Sequence, residues 1–216
     1  MLKIVSAPSS VLSEKAKPVV KIDKDILHLI EEMKKTLSAT RDPEGVGLAA
    51  SQIGRQLQIF IIKPTQKSPI QVFINPDIDI RGGTSGRVPD NAQFVEPKVH
   101  LERALAGGKR VTGPLEDSQA RQDPSKKEST KLEGCLSLPN IWGEVKREPK
   151  VMISYLDENG KFHKRIFTNF PATVIQHEYD HLQGTLFPKR VLEQKGKLYK
   201  SSKNKKGEDE FEEIEL

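Results

Sequence analysis

The chain has a single cysteine, Cys135, a single tryptophan, and few aromatic residues of any kind, 6% of 216. One cysteine excludes an intramolecular disulfide. Long apolar runs are also missing: stretches such as Ile59–Ile62 fall far short of the roughly 20 residues that span a bilayer. The opening MLKIVSAPSS lacks the hydrophobic region of a signal peptide, and no internal repeat is visible. These absences make a reducing, cytoplasmic compartment the expectation, one in which a free thiol stays reduced.

What the chain does have is charge. Asp, Glu, Lys and Arg make up 30% of it against 35% hydrophobic residues, with a net charge of +5. That balance permits weak attraction to polyanions, yet it is equally that of solvated surface lysines; neither a membrane nor sequence-specific nucleic acid is expected as a partner. The length fits one domain, close to the usual range of about 100 to 200 residues. Residues 81–131 are rich in glycine, proline and mixed charge, with Phe94 their only aromatic side chain, and so read as a surface insertion that buries little core. Within them, residues 99–106 have the pattern of two helical turns before Gly107 and Gly108.

Apolar side chains at Ile26, Ile30, Met33 and Leu37 recur at spacings of three and four, which predicts an amphipathic helix over 24–40 with Asp23 as its N-cap. The glycine-rich EGVGLAASQIG at 44–54 predicts a loop feeding strands at 58–63 and 70–75. Residues 151–156 and 161–168 flank Asp157-Glu158-Asn159-Gly160 and predict a β-hairpin whose Asn-Gly pair supplies positive φ. A second helix is predicted over 170–183, with Pro171 in its first turn and Gly184 at its C-terminal end. The chain closes on residues 196–200, a basic stretch at 203–206 and EFEEIEL, which together read as a charged β-hairpin.

The second helix carries HEYDH at 177–181. His177 and His181 are four apart and share one face, so both imidazoles can bind one ion while Glu178 handles protons on a bound water. A random chain of this composition would contain His-Glu-any-any-His only about 1% of the time. Phe170, Val174, His177 and His181 form one stripe, which predicts histidines that face the interior. A thiolate from Cys135, in EGCLSLP, would complete three protein ligands and leave the open position that a catalytic metal requires. His28, His100 and His163 have no ligand spacing and read as satisfied or exposed side chains.

Three motifs, EGVGLAASQ at 44–52, EGCLSLP at 133–139 and QHEYDHLQG at 176–184, resemble those of the peptide deformylases, in that family's order. The opening SAPSSVLSEKAKPV and the hairpin at 150–168 share the likeness; the insertion and the C-terminus fall outside it. The resemblance implies an α+β fold, with antiparallel strands packed around a central metal-binding helix, in a single domain over 1–216 that includes the N-terminal amphipathic helix and the C-terminal β-hairpin. It implies hydrolysis of the N-formyl group from the N-terminal formylmethionine of nascent polypeptides, releasing formate. Cys135, His177 and His181 would hold one divalent metal ion, Fe2+ in the cell and Zn2+ or Ni2+ in purified protein. Glu178 would act as base, then acid, while the Gln52 side-chain amide and the Leu136 backbone N–H donate to the oxyanion. Gly45, Val46 and Gly47 would let the substrate lie alongside as an added strand, and Glu133, Val46 and Val174 would stand near the methionine pocket. The expected partners are nascent N-formylmethionyl polypeptides, with transient ribosome association.

The chain also departs from the family's pattern. Its long insertion lies between Asn75-Pro76 and EGC, where the family usually has a short connection, and is expected to act as a lid or docking surface at the mouth of the site. Trp142 stands where some members carry an arginine that contacts the substrate backbone; it can stack on a peptide but offers no guanidinium fork. The C-terminus lacks the long basic helix of some members, so their ribosome-docking mode does not carry over. Asp180 either pairs with Arg147 or accepts from a ligand imidazole. Two rival readings remain. A zincin-like metallopeptidase would need a third histidine or glutamate ligand downstream, where only Glu193 and the acidic tail are on offer. A non-catalytic, metal-stabilised binding module would need neither Glu178 nor Gln52.

Overall fold

Strand β2 (Ile59–Ile62) is the hinge of the architecture, because all four of its apolar side chains are buried. Side chains alternate across a strand, so an unbroken apolar run requires cover on both faces. Helix α1 (Lys24–Ala39) supplies one cover: Ile30, Met33 and Leu37 share a cluster with Ile59 and Ile61. Helix α2 (Asn169–Leu182) supplies the other, where Val174, Ile175 and Leu182 join Phe60 and Ile62. The Asp23 carboxylate caps α1 by accepting from the Asp25 and Ile26 amides, both at 3.1 Å.

This computed structural model describes residues 1–41, 44–79, 131–204 and 209–215. Of the predicted insertion at 81–131, only Lys131 falls among them; the two turns expected at 99–106 lie outside. Around β2, a five-stranded antiparallel sheet runs β1 (Gly47–Ala49), β2, β3 (Gln71–Asp79), β6 (Lys150–Leu156), β7 (Phe162–Thr168). A second antiparallel sheet runs β4 (Lys131–Cys135), β5 (Leu138–Val145), β8 (Leu198–Lys203), β9 (Asp209–Ile214). Short helix α3 (Phe187–Glu193) packs Phe187 and Val191 against this second sheet, in a cluster that includes Cys135. The fold is therefore α+β, with antiparallel sheets and α2 near its centre. Among the described residues, no helix is long and apolar enough to cross a membrane.

Three local expectations are corrected. The glycine-rich segment is not all loop: Gly47–Ala49 pairs with β2, and Ala50–Ile53 forms a 3-10 turn stopped by Gly54 at φ 74°. Strand β3 runs four residues past its predicted end, through Pro76, which cannot donate to a ladder. A register shift between Ile74 and Asp77 absorbs the proline, and Asn75, at φ 49°, uses its amide to bind both the N–H and the C=O of Val19. In the β6–β7 turn, Gly160 has positive φ and Asn159 does not. The C-terminal strands do pair as a hairpin, but β8 also pairs with β5 and so extends the sheet that carries Cys135.

Candidate metal centre and active site

Helix α2 lies over β1 and β2 with its HEYDH turn facing β4, where Cys135 ends the strand. The Cys135 Sγ is 3.2 Å from His181 Nε2, and one ligand atom from each of Cys135, His177 and His181 lies within 4.8 Å of the others. Cys135 and His181 are buried, and His177 is half-buried. The His177 Nδ1 sits 3.0 Å from Glu133 Oε2, which assigns the proton to Nδ1 and leaves Nε2 free as a ligand. Burial opposes ionisation of the Cys135 thiol, but the two imidazoles overcome it and hold the thiol well below its ordinary value. A thiolate and two imidazoles converging on one point are a donor set for a first-row divalent ion, so the residues present fit a metal.

Glu178 stands beside these ligands, buried, with its Oε2 unpartnered among the described residues. Burial pushes its carboxyl up to about 7 against the pull of His177 and His181. A Cβ on Gly47 would lie 2.2 Å from Glu178 Oε1, so the absence of a side chain there makes room for the carboxylate. Gln52, on the 3-10 turn, is held by its own amide: Oε1 accepts from the Ala49 N–H at 2.8 Å. That contact turns Nε2 toward Cys135 Sγ at 3.4 Å and Ser137 Oγ at 3.3 Å.

A cavity of about 260 Å³ opens at this point. Its lining includes Glu178, Gln52, Leu136, Gly45, Val46, Gly47, Glu133, Trp142 and Val174, together with Glu44, Lys131, Leu132, Phe170 and Thr173. The expected catalytic and substrate-binding residues, with Cys135 and His177 but not His181, thus line one cavity, though several have work besides lining it. Gly45 leaves space for Leu37 of α1, whose Cδ1 would be 2.8 Å from a Cβ there. The Trp142 ring covers Gly134, donates from Nε1 to Ser201 Oγ at 3.1 Å, and meets Phe211 edge-on. The C-terminal hairpin therefore holds this side chain in place.

Glu133 does more than line the cavity, because both its oxygens are engaged: Arg147 forks onto them at 2.8 and 3.0 Å, and His177 shares the second. Salt bridging and the imidazole hold its carboxyl down to about 2 despite burial. Asp180 pairs with Arg147 at 2.7 Å and with Arg190 at 2.6 Å, so the carboxylate that orients a ligand imidazole is Glu133 and not Asp180. Sequence reasoning missed Ser137 and Arg190. The role of Glu133 was available in the period of two along β4, which puts residues 133 and 135 on one face.

A model of the polypeptide deformylase family matches residues 1–197. The chain belongs to the polypeptide deformylase family. It is 32% identical to the peptide deformylase of Pseudothermotoga lettingae over 82% of this chain and 75% of that one. It is 31% identical to that of Christiangramia forsetii over 93% of this chain and 87% of the relative. Among solved structures, a peptide deformylase from Synechococcus elongatus in complex with actinonin is similar, with a TM-score of 0.60 and 30% identity over 88% of this chain and 78% of that one. The Thermotoga maritima deformylase gives a TM-score of 0.61 at 27% identity, over 88% and 97%. Membership in this metal-dependent family makes the chain an enzyme, and neither the zincin-like reading nor the binding-module reading is favoured.

Proposed function

We propose that this site deformylates nascent polypeptides with one divalent ion held by Cys135, His177 and His181. The reaction is hydrolysis of the N-formyl group of an N-terminal formylmethionine, with release of formate. One observation carries the reading: a buried carboxylate, Glu178, whose Oε2 has no partner among the described residues, adjoins three converging ligand atoms at the wall of a cavity. A structural metal site would not need it. A divalent ion bound here supplies Lewis acidity and lowers the pKa of a water into the neutral range.

Glu178 takes the proton of the attacking water and passes it to the departing amine of methionine, the two-way proton transfer that a general base turned general acid performs. The Gln52 Nε2 and the Leu136 N–H donate to the oxyanion that develops on the formyl oxygen, and losing one such donor costs about 3 to 4 kcal/mol. Val46 and Val174 offer an apolar wall to the methionine side chain, and Trp142 a stacking surface to the peptide beyond it. The edge formed by Gly45, Val46 and Gly47 accepts the substrate as a strand. We read residues 1–216 as one domain with an insertion at about 81–131, acting in the cytoplasm with transient ribosome association, without sequence-specific nucleic-acid binding or a membrane partner.

Fe2+ is the proposed metal in the cell, with Zn2+ or Ni2+ in purified protein. Anaerobic metal analysis paired with activity tests this, and a zinc form as active as the iron form counts against iron. Formate release from formyl-Met-Ala-Ser under anaerobic conditions tests the activity itself. Absence of formate from metal-loaded protein, or cleavage of an internal peptide bond in its place, sinks the proposal.

A further inference from the structure

A row of charged side chains leads from the ligand His177 to the short helix α3. Glu133 accepts from His177 Nδ1 at 3.0 Å and from the Arg147 fork at 2.8 and 3.0 Å. Arg147 turns its remaining nitrogen to Asp180 Oδ2 at 2.7 Å. Asp180, one helical turn past His177 on α2, accepts in turn from Arg190 of α3, at 2.6 Å from Nη2 and 3.1 Å from Nε. The side chains of Glu133, Arg147 and Asp180 are only 6 to 8% exposed, and that of Arg190 is 34% exposed. These are desolvated contacts with fixed fork geometry, unlike a pair of surface charges free to swing in water.

Deformylation assigns no task to Arg190, which does not line the cavity. The row balances two carboxylates against two guanidinium groups, so removing Arg190 leaves one buried negative charge in excess. Asp180 would then draw on Arg147 alone, and the Arg147 fork is what seats Glu133 against His177. A second contact also joins α3 to the same imidazole: the buried Phe187 ring stacks on His177, with centroids 6.2 Å apart and 26° between planes. Helix α3 thus bears on His177 twice, through the Phe187 ring and through the charge row.

We infer that Arg190 is a positioning residue for His177, acting through Asp180, Arg147 and Glu133 to fix the imidazole's orientation and its Nδ1–H tautomer. The seating of α3 thereby governs how tightly the metal is held. This rests on the metal-site reading proposed above. A clamp that merely joins α2 to α3 would also stabilise the fold, but it would leave metal retention untouched.

The test loads the protein with Zn2+ and follows its release to a chelating dye, alongside the melting temperature and kcat for formate release. Groups that orient a ligand typically change metal affinity 10- to 100-fold, and Arg190→Gln is expected to speed release about tenfold. Glu133→Gln speeds it more, and the double variant is no faster than Glu133→Gln alone, because both changes act through one contact. Arg190→Lys keeps the charge without the fork and recovers part of the retention. If Arg190→Gln does not fold, Arg190→Lys against wild type carries the comparison, with a several-fold increase expected. Glu193→Gln removes only the exposed partner of Arg190 at 2.9 Å and leaves release unchanged. Unchanged release in the Arg190 variants, with only a lower melting temperature, overturns the inference, as do effects of Arg190→Gln and Glu133→Gln that multiply. Failure of wild-type protein to retain one Zn2+ per chain overturns the metal-site reading instead.

Discussion

At the scale of single residues, Gly47 shows how two explanations of one glycine separate. A glycine beside an active site reads in sequence as room for substrate, and Gly47 does line the cavity. The structure adds a prior demand, since a Cβ would come within 2.2 Å of Glu178 Oε1. Gly47→Ala should therefore displace the carboxylate and lower kcat by about a hundredfold or more, the usual range for losing a general base, with the metal content unchanged. A rise in KM alone would mean that the glycine serves substrate approach. The convergence of the expected ligands was legible because motif spacing encodes a helix face; the period of two along β4 puts Glu133 beside Cys135 but does not reveal its partners, Arg147 and His177, which come from other elements. No local pattern announces a contact between β4, α2 and the segment after β5.

At the scale of elements, the sequence pattern located both long helices and strands β2, β6 and β7 to within a residue or two, but gave no bounds for β1, β4 or β5. What it missed was set by tertiary pairing. Residues 47–49 form a strand only because β2 lies alongside, and β3 continues through Pro76 only because Asn75 and Val19 stabilise the irregular register. The α2–α3 connection has its own pH signature. Burial alone would raise the Asp180 carboxyl, but Arg190 and Arg147 overcome it and hold the group below its ordinary 3.8. A carboxyl depressed in the folded state contributes stability that is present above its unfolded value and lost as pH falls through the folded one. Urea titrations of metal-free protein should find Asp180→Asn less stable than wild type at pH 7, with the gap closing below about pH 4. A gap of constant size down to pH 2 would show that Asp180 does not act as a paired carboxylate.

At the scale of the whole molecule, the four-stranded sheet joins the cysteine strand to the C-terminal hairpin, and α2 carries the histidines against the other sheet. The site forms where these meet, so its integrity reports on the fold. If residues 81–131 are an insertion in a single domain, deleting 85–128 should leave a folded chain that binds one metal ion; an unfolded or metal-free product would mean that the segment belongs to the core. The single-domain reading came from length, and the position of the insertion from composition; its described neighbours, β3 and β4, lie in different sheets. The central claim is that Glu178 moves the proton in deformylation while Cys135, His177 and His181 hold the ion. The direct measurement is kcat for formate release from formyl-Met-Ala-Ser by Glu178→Ala, with metal occupancy determined on the same sample. A fall of about a hundredfold or more at full occupancy is predicted; activity within threefold of wild type at that occupancy would contradict the account.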